Sequence, residues 1–426
     1  MKLPRLRWWI AALLFTASII NYVDRQALSI VAPVLTKELH LSPIQYANIL
    51  QVFLYAYTVM YIVSGILVDR WGTRVALGVF MAWWSLSNML HAFARSAFQL
   101  GFFRLLLGIG EPGNFMAAAK AASEWYPPKE RAFINGLVNA GASVGAIIAA
   151  PFVVWLYLNF GWRAAFVITG VTGFFWLAAW LVLYRLPESH PWITAPELEL
   201  LRQSRAAEAA AGPKQRPRYK DLFKLPQTWG LFLARFLSDP VWWFYLFWLP
   251  KYMVEQRGFS IVEVGLLAWM PYLSADIGAI FGGLMSGWFV QRGWPVLRAR
   301  SAGMLPFALM MPVSIWVAFT PSSTLALALI CLVTFAHMAW KTNLMTLTND
   351  LYPRSVVGSV AGIAAFGNGL GGALFTGLTG WVVQHFSYDA IFVLMGFMHP
   401  AAFLLFRLFV KGPVHPSSFH PQETSS

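Results

Sequence analysis

WWIAALLFTASIINYVDRQALSIVAPVL, residues 8–35, is an apolar run with two charges in it, Asp24 and Arg25, side by side. Coiled as a helix rising about 1.5 Å per residue, it exceeds the roughly 30 Å hydrocarbon core of a bilayer. It therefore reads as a membrane-spanning helix. Charges at membrane depth are costly and persist mainly where they do a job. A second apolar run carries Arg104 and Glu111. Seven residues are about two helical turns, so both project from nearly the same face. Counted from the span ends, Arg104 lies about 10 Å below the outer face, Arg25 about 15 Å, Asp24 about 16 Å and Glu111 about 21 Å. All four are expected to meet in the first half of the chain. Two basic and two acidic groups inside an apolar bundle imply an anion site with a proton switch beside it.

The composition agrees. Of 426 residues 58% are apolar and only 12% charged, against about 25% charged in soluble domains. Mean hydropathy is +0.58. The 21 tryptophans suit lipid-facing surfaces with interfacial belts. The net charge of +13 does not point to nucleic acid, because the basic residues gather in short loops between apolar runs. The single cysteine, Cys331, lies in an apolar run and reads as packing. Lys2, Arg5 and Arg7 precede the first run, which is too long for a signal-peptide core, so it is expected to be retained. No HExxH, GxSxG or Cys/His cluster appears. Neither an enzyme, a metal site nor a cofactor is expected.

Twelve runs can cross a bilayer: 8–35, 45–68, 75–93, 97–119, 132–158, 163–184, 227–252, 263–290, 300–319, 323–348, 356–384 and 388–410. Lys37, Arg95, Arg163, Lys251 and Arg257 fall on one side, and 22 Lys and Arg fall on the other. The second side is expected to be cytoplasmic, with both termini inside and the protein in the inner or plasma membrane. The one long polar stretch contains AAEAAAGPKQRPRYK (206–220) and divides the spans six and six. The expected organisation is an N-terminal six-helix bundle (1–184), a cytoplasmic linker (185–226), a C-terminal six-helix bundle (227–410) and a tail (411–426).

The halves resemble each other. EWYPPKERAFINGLVNAGASVG (124–145) aligns with DLYPRSVVGSVAGIAAFGNGLG (350–371) at an offset of 226. Tyr126 meets Tyr352, and Gly136, Gly141 and Gly145 meet Gly362, Gly367 and Gly371. The same offset carries Phe160, Ala164, Phe166 and Gly170 onto Phe386, Ala390, Phe392 and Gly396. Internal repeats of this kind are common in transporters.

GILVDRWGTR (65–74) follows the second span and resembles the signature loop of the major facilitator superfamily. A degraded copy, GWFVQRGWPV (287–296), follows the eighth, with Gln291 in place of the acid. Within that superfamily the chain resembles the anion:cation symporters, through NYVDRQAL (21–28), RLLLGIGEPGNFMAAAKAASEWYPPKER (104–131) and AWMPYLSADIGAIFGG (268–283). ARFLSDPVWWFYLFWLP (234–250) and FAHMAWKTNLMTLTNDLYP (335–353) look closest to the hexuronate branch. The resemblance runs from about residue 8 to 410 and implies an all-α integral membrane fold of twelve helices in two pseudo-symmetric bundles. It implies proton-coupled symport of a sugar acid, foremost a hexuronate such as glucuronate or galacturonate, by alternating access. The expected partners are the sugar-acid anion, protons and the lipid bilayer, with a monomer as the unit.

Arg25 is the candidate for the substrate carboxylate, because a guanidinium offers a bidentate fork and stays charged. Asp24 and Glu111 are the candidate proton carriers, with protonation set by burial against a neighbouring arginine. In the resembling family the first-span arginine binds the acid, and the arginine and glutamate seven apart couple to protons or gating, which maps onto Arg25, Arg104 and Glu111. The family also places a substrate tyrosine where Tyr57 stands in LYAYTVMY. Gly65, Asp69, Arg70, Gly72 and Arg74 are the expected gating loop, with Asp69 pairing with an arginine or a helix N-terminus. In the second half Arg235 and Asp239, four apart, are expected to pair, with Asp276 near them. His337, Trp340 and Lys341 share a face. Trp340, Asn343 and Asn368 suit a sugar, with a ring for stacking and amides for hydroxyls. Lys341 departs from the small or polar residue expected there. It either holds a second anionic group or snorkels to the cytoplasm.

Two alternatives stand beside this reading. An organophosphate/phosphate antiporter of the same fold would use Arg25 with Arg235 and would not need Asp24 and Glu111. An integral-membrane enzyme is the alternative of another class.

Overall fold

The computed structural model describes residues 2, 4–210, 219–352 and 356–414, leaving the side chains of 205–210 and 219 aside. All regular structure among them is helical. In chain order the helices are α1 (Leu6–Glu38), α2 (Pro43–Trp71), α3 (Thr73–Leu90), α4 (Ala97–Gly110), α5 (Gly113–Trp125), α6 (Pro128–Leu183) and α7 (Ala195–Ala210). There follow α8 (Tyr219–Leu222), α9 (Pro226–Ser238), α10 (Pro240–Glu255), α11 (Ile261–Leu267), α12 (Met270–Gln291), α13 (Val296–Met310) and α14 (Val313–Phe319). The last three are α15 (Ser323–Leu351), α16 (Val357–His385) and α17 (Tyr388–Phe409).

Eight helical stretches are long and apolar enough to span a membrane by length and composition. One of them, α6, is two spans joined at Gly161, whose φ of 80° breaks the helical path. Thr73–Leu90, α4 with α5, and α9 with α10 supply the other three of twelve. Phe98 (82% exposed), Phe175 (74%) and Leu404 (70%) show rings and aliphatics facing outward, a surface made for lipid rather than water.

The breaks have local causes. Ser42 and Gln45 form a reciprocal capping box at the start of α2, with Pro43 in the first turn. Gly72, at φ 76°, turns the chain from α2 into α3. The run expected as one helix over 97–119 is interrupted at Glu111–Pro112, since Pro112 has no N–H to continue the ladder.

By internal packing the chain forms two compact units: Met1–Pro213 with Phe259–Trp269, and Lys214–Gly258 with Met270–Ser426. In the first, α6 lies against α1. A Cβ on Gly145 would come within 2.7 Å of Ile19 O, so only glycine permits this approach. In the second, α16 lies against α9 in the same manner, and a Cβ on Gly367 would lie 2.7 Å from Phe232 O. The short α11 packs with the first unit, where Gly265 faces Val154.

The stretch read as a linker over 185–226 is more structured than its polarity suggests, although 211–218 lie outside the described residues. Glu197 on α7 accepts the backbone N–H groups of Leu6 and Arg7, both at 3.1 Å, and so caps the N-terminus of α1 with a negative charge. Arg7 pairs with Glu130 at 2.9 Å. His190 Nε2–H donates to Leu183 O (2.9 Å) and its Nδ1 accepts from the Trp192 N–H (3.1 Å). Burial holds this imidazole below its usual range. Of the expected tail, 415–426 lie outside the described residues.

Candidate functional site

The four charges singled out in the first half all lie in the interior of the first unit, each at most 1% exposed. Their pairing does not follow sequence adjacency. Neighbours on a helix point about 100° apart. Arg25 turns to the α4–α5 junction, where its Nε donates to Glu111 Oε2 at 2.7 Å. Asp24 turns to α3, where its Oδ1 accepts from Asn88 Nδ2 at 2.8 Å. The same Asn88 amide donates to Thr169 Oγ1 at 2.8 Å. Arg104 Nη2 donates to the Arg25 backbone carbonyl at 2.7 Å and so holds α4 against α1.

Asn21, one turn before Arg25, accepts from Arg25 Nη2 at 3.1 Å and donates to Glu111 O at 3.4 Å. Rings surround the guanidinium: its central carbon is 4.5 Å from the centroid of Tyr22, 4.8 Å from Tyr57 and 5.8 Å from Phe53. Such contacts stabilise a desolvated cation and fix its plane. The arrangement holds a cation beside a carboxylate in the buried interior. An incoming carboxylate would compete with Glu111 for Arg25. Asn21 and Asn88 were not singled out from the sequence. Asn21 had a signal, lying four residues from Arg25, whereas Asn88 had none.

In the second unit Arg235 Nε pairs with Asp239 Oδ2 at 2.8 Å, as the i, i+4 spacing predicts. His337 Nδ1 is 3.0 Å from His399 Nε2, a partner that sequence spacing could not supply. His337 also stacks on Trp242, with centroids 6.0 Å apart and planes 7° from parallel. Lys341 lies within α15 beside an aromatic ring. Its ammonium lies 5.9 Å from the Trp242 ring.

The three residues expected to suit a sugar have the following partners. Asn343 donates to Gly282 O (2.9 Å) and Ala339 O (3.0 Å), so both amide hydrogens are taken up in clamping α15 to α12. Asn368 Oδ1 accepts from Trp243 Nε1 at 2.8 Å, leaving only its NH₂ for another partner. Trp340 has no exposed surface and meets His399 edge-on, so its ring offers no stacking face. Trp242 is a partly exposed ring of this region.

In the expected gating loop, Asp69 pairs with Lys120 on α5 at 2.9 Å rather than with an arginine or a helix end. Arg70 is exposed. Arg74 donates to Leu181 O. Gly72 supplies the positive φ, while a Cβ on Gly65 would make only an ordinary contact with Met116. Beside the loop is a cavity of about 450 Å³ lined by Gly72, Arg74, Lys120 and Arg185 among others.

Comparison with known proteins bears on the whole of this architecture. The hexuronate transporter of Escherichia coli (strain K12) is 31% identical over 398 residues, covering 92% of this chain and 91% of that protein. The galacturonate transporter of Dickeya chrysanthemi is 35% identical over 284 residues, 67% of this chain and 82% of that protein. In fold, a bacterial homolog of the human lysosomal transporter Spinster matches with a TM-score of 0.77 at 19% identity, over 97% of this chain and all of that one. A family model described as Major Facilitator Superfamily matches residues 14–376. The repeated bundles, the glycine-on-carbonyl contacts in each and this match together make the chain a multi-pass membrane protein belonging to the Major Facilitator Superfamily.

Proposed function

We propose that the chain is a proton-coupled secondary transporter of sugar acids, with a hexuronate as the foremost substrate. The observation that carries this is the buried Arg25–Glu111 pair at 2.7 Å inside a ring of Tyr22, Phe53 and Tyr57. A substrate carboxylate and Glu111 are rivals for one guanidinium. Binding the anion favours release of Glu111 from Arg25, and protonation of Glu111 makes that release less costly. Anion and proton therefore bind cooperatively, the linkage that symport requires. The names of the two relatives, a hexuronate and a galacturonate transporter, support the same substrate class.

Asp24, held by Asn88 and Thr169 rather than by an arginine, is assigned a secondary proton-carrying role. The loop containing Asp69, Gly72 and Arg74 is assigned to gating. Transport rather than catalysis, an inner or plasma membrane location and cytoplasmic termini belong to the same proposal. The phosphate-antiport alternative gives the buried carboxylates Asp24 and Glu111 no part to play.

The test is uptake of labelled glucuronate, galacturonate, galactonate and lactate into proteoliposomes with and without an imposed pH gradient. Gradient-driven accumulation of a hexuronate is expected. Accumulation of none of the sugar acids, with or without the gradient, would remove the reading.

A further inference from the structure

The cavity of about 450 Å³ beside the α2–α3 turn lies wholly within the first unit. Its walls come from the ends of helices: Trp71 of α2, Thr73 and Arg74 of α3, Lys120 and Glu124 of α5, and the segment from Tyr184 to Leu186 just past α6. Each wall is fixed by a side chain bonded to backbone. Trp180 Nε1 donates to Arg74 O at 3.0 Å, Trp125 Nε1 to Arg185 O at 3.1 Å, and Lys120 Nζ to Val68 O at 3.1 Å. A concave space with tethered walls is the form that a preformed ligand site takes.

Its electrostatics point to an anion. Arg74, Lys120 and Arg185 line it, against the one carboxylate that does so among the described residues, Glu124, which accepts from the Tyr184 hydroxyl. Lys120 is engaged with Asp69 and with backbone, so it supplies field rather than hydrogen bonds. Arg185 is exposed, and its side chain makes no hydrogen bond or ion pair among the described residues. Arg74 Nη2 donates to Leu181 O, while its Nε is buried without a partner. The start of α3 opens on the same space. Gly72 at its N-cap brings no capping side chain, and the first turn holds no acid but an arginine. The positive end of the helix and Arg74 therefore repel each other unless an anion lies beside both. A Cβ on Gly72 would meet nothing within 4 Å, so the backbone there is open. Thr73 is 2% exposed and its Oγ1 has no hydrogen-bond partner among the described residues, the Tyr184 hydroxyl beside it donating to Glu124. Backbone N–H groups at a helix start, guanidinium N–H groups and a hydroxyl are the donors that a phosphate group takes. Trp71 and Leu186, 46% and 49% exposed, add an apolar wall for an organic group attached to it.

We propose that this cavity binds the phosphate group of a phosphate ester, seated on the start of α3 between Arg74 and Arg185. The ester is either a phospholipid head group, reaching the cavity from the membrane edge, or a soluble phosphate compound. Arg25 and Glu111 are not among the walls, so the proposal does not depend on which solute the chain carries. The rival role is purely structural, with Glu124 balancing the basic residues and water filling the space.

The test is the melting temperature of the delipidated full chain in a neutral detergent at constant ionic strength, titrated with dioleoyl phosphatidylglycerol and, separately, with inorganic phosphate. Arg185→Gln and Ser189→Glu, both at exposed positions lining the cavity, are compared with Arg95→Gln, at an exposed arginine outside it. The wild type is expected to gain stability with at least one probe. Arg185→Gln and Ser189→Glu should each weaken the apparent affinity for that probe about threefold to tenfold, and Arg95→Gln should leave it unchanged. A response to the lipid alone assigns the cavity to a phospholipid head group. A response to inorganic phosphate, with or without the lipid, assigns it to a soluble phosphate compound. No response to either probe, or a response that the cavity variants weaken no more than Arg95→Gln does, overturns the proposal. Should one cavity variant fail to fold, the other decides in the same way.

Discussion

The two units use one scaffold for two chemistries. Glycines on α6 and α16 meet backbone carbonyls on α1 and α9 in corresponding places, Gly145 at Ile19 and Gly371 at Phe236. Counting on from those carbonyls, Arg25 in the first unit corresponds to Trp242 in the second. The repeat offset of 226 carries Glu111 onto His337. Both pairs are in contact: Arg25 with Glu111 as an ion pair at 2.7 Å, Trp242 with His337 as a parallel stack. The backbone packing is shared, because it depends on small residues that tolerate no change. The side chains that cross the interior are free to differ, and they decide what each unit does. The first has a buried charge pair, and the second an aromatic surface beside a lysine.

That comparison is broken most sharply at the corresponding pair Glu111 and His337. Glu111→Gln mimics the protonated acid and cannot cycle. Accumulation driven by a pH gradient should be lost, while exchange between equal concentrations survives at least in part. His337→Gln should lower affinity yet keep gradient-driven accumulation at saturating substrate. Uptake and counterflow in proteoliposomes measure both, and accumulation by Glu111→Gln would place the coupling elsewhere.

The next largest effect is at Arg25 and Trp242. Arg25→Lys keeps the charge but loses the fork, and binding of sugar acid should weaken about 30- to 100-fold. Trp242→Phe keeps a ring and should weaken it only a few-fold. Calorimetry on purified protein gives both, and near-native affinity in the lysine variant would take Arg25 out of the site.

The smallest effects test the shared scaffold. Gly145→Ala and Gly371→Ala should each destabilise by about 1–3 kcal/mol, since the new methyl meets a carbonyl that cannot yield. Gly136→Ala and Gly362→Ala, with open space around them, should be neutral or stabilising by up to about 1 kcal/mol. Melting temperatures in detergent would show the pattern, and a unit in which the tight glycine tolerates alanine would not share the scaffold.

Much of this was legible in the sequence for a plain reason. Hydrophobic length acts residue by residue, so it identifies spans without knowledge of packing. The i, i+4 pair Arg235–Asp239 was equally legible, being confined to one helix turn. The interruption at Glu111–Pro112 was carried by a proline that the apolar run concealed. The role of α7 was hidden because Glu197 acts 190 residues away, on the first turn of α1.

By itself the sequence determined that the chain is helical and membrane-embedded, that it is built of two related halves, and that Asp24, Arg25, Arg104 and Glu111 lie inside the first. Only the tertiary structure decided which of those charges meet. Asp24 and Arg25 are covalent neighbours, yet the helix turns them to different partners, Asn88 and Glu111. It also decided that Asn343 clamps two helices and that His337 is bonded to His399. A side chain's partner depends on which helices lie alongside and at what rotation. That is set by close packing across the whole bundle, which no local stretch of sequence contains.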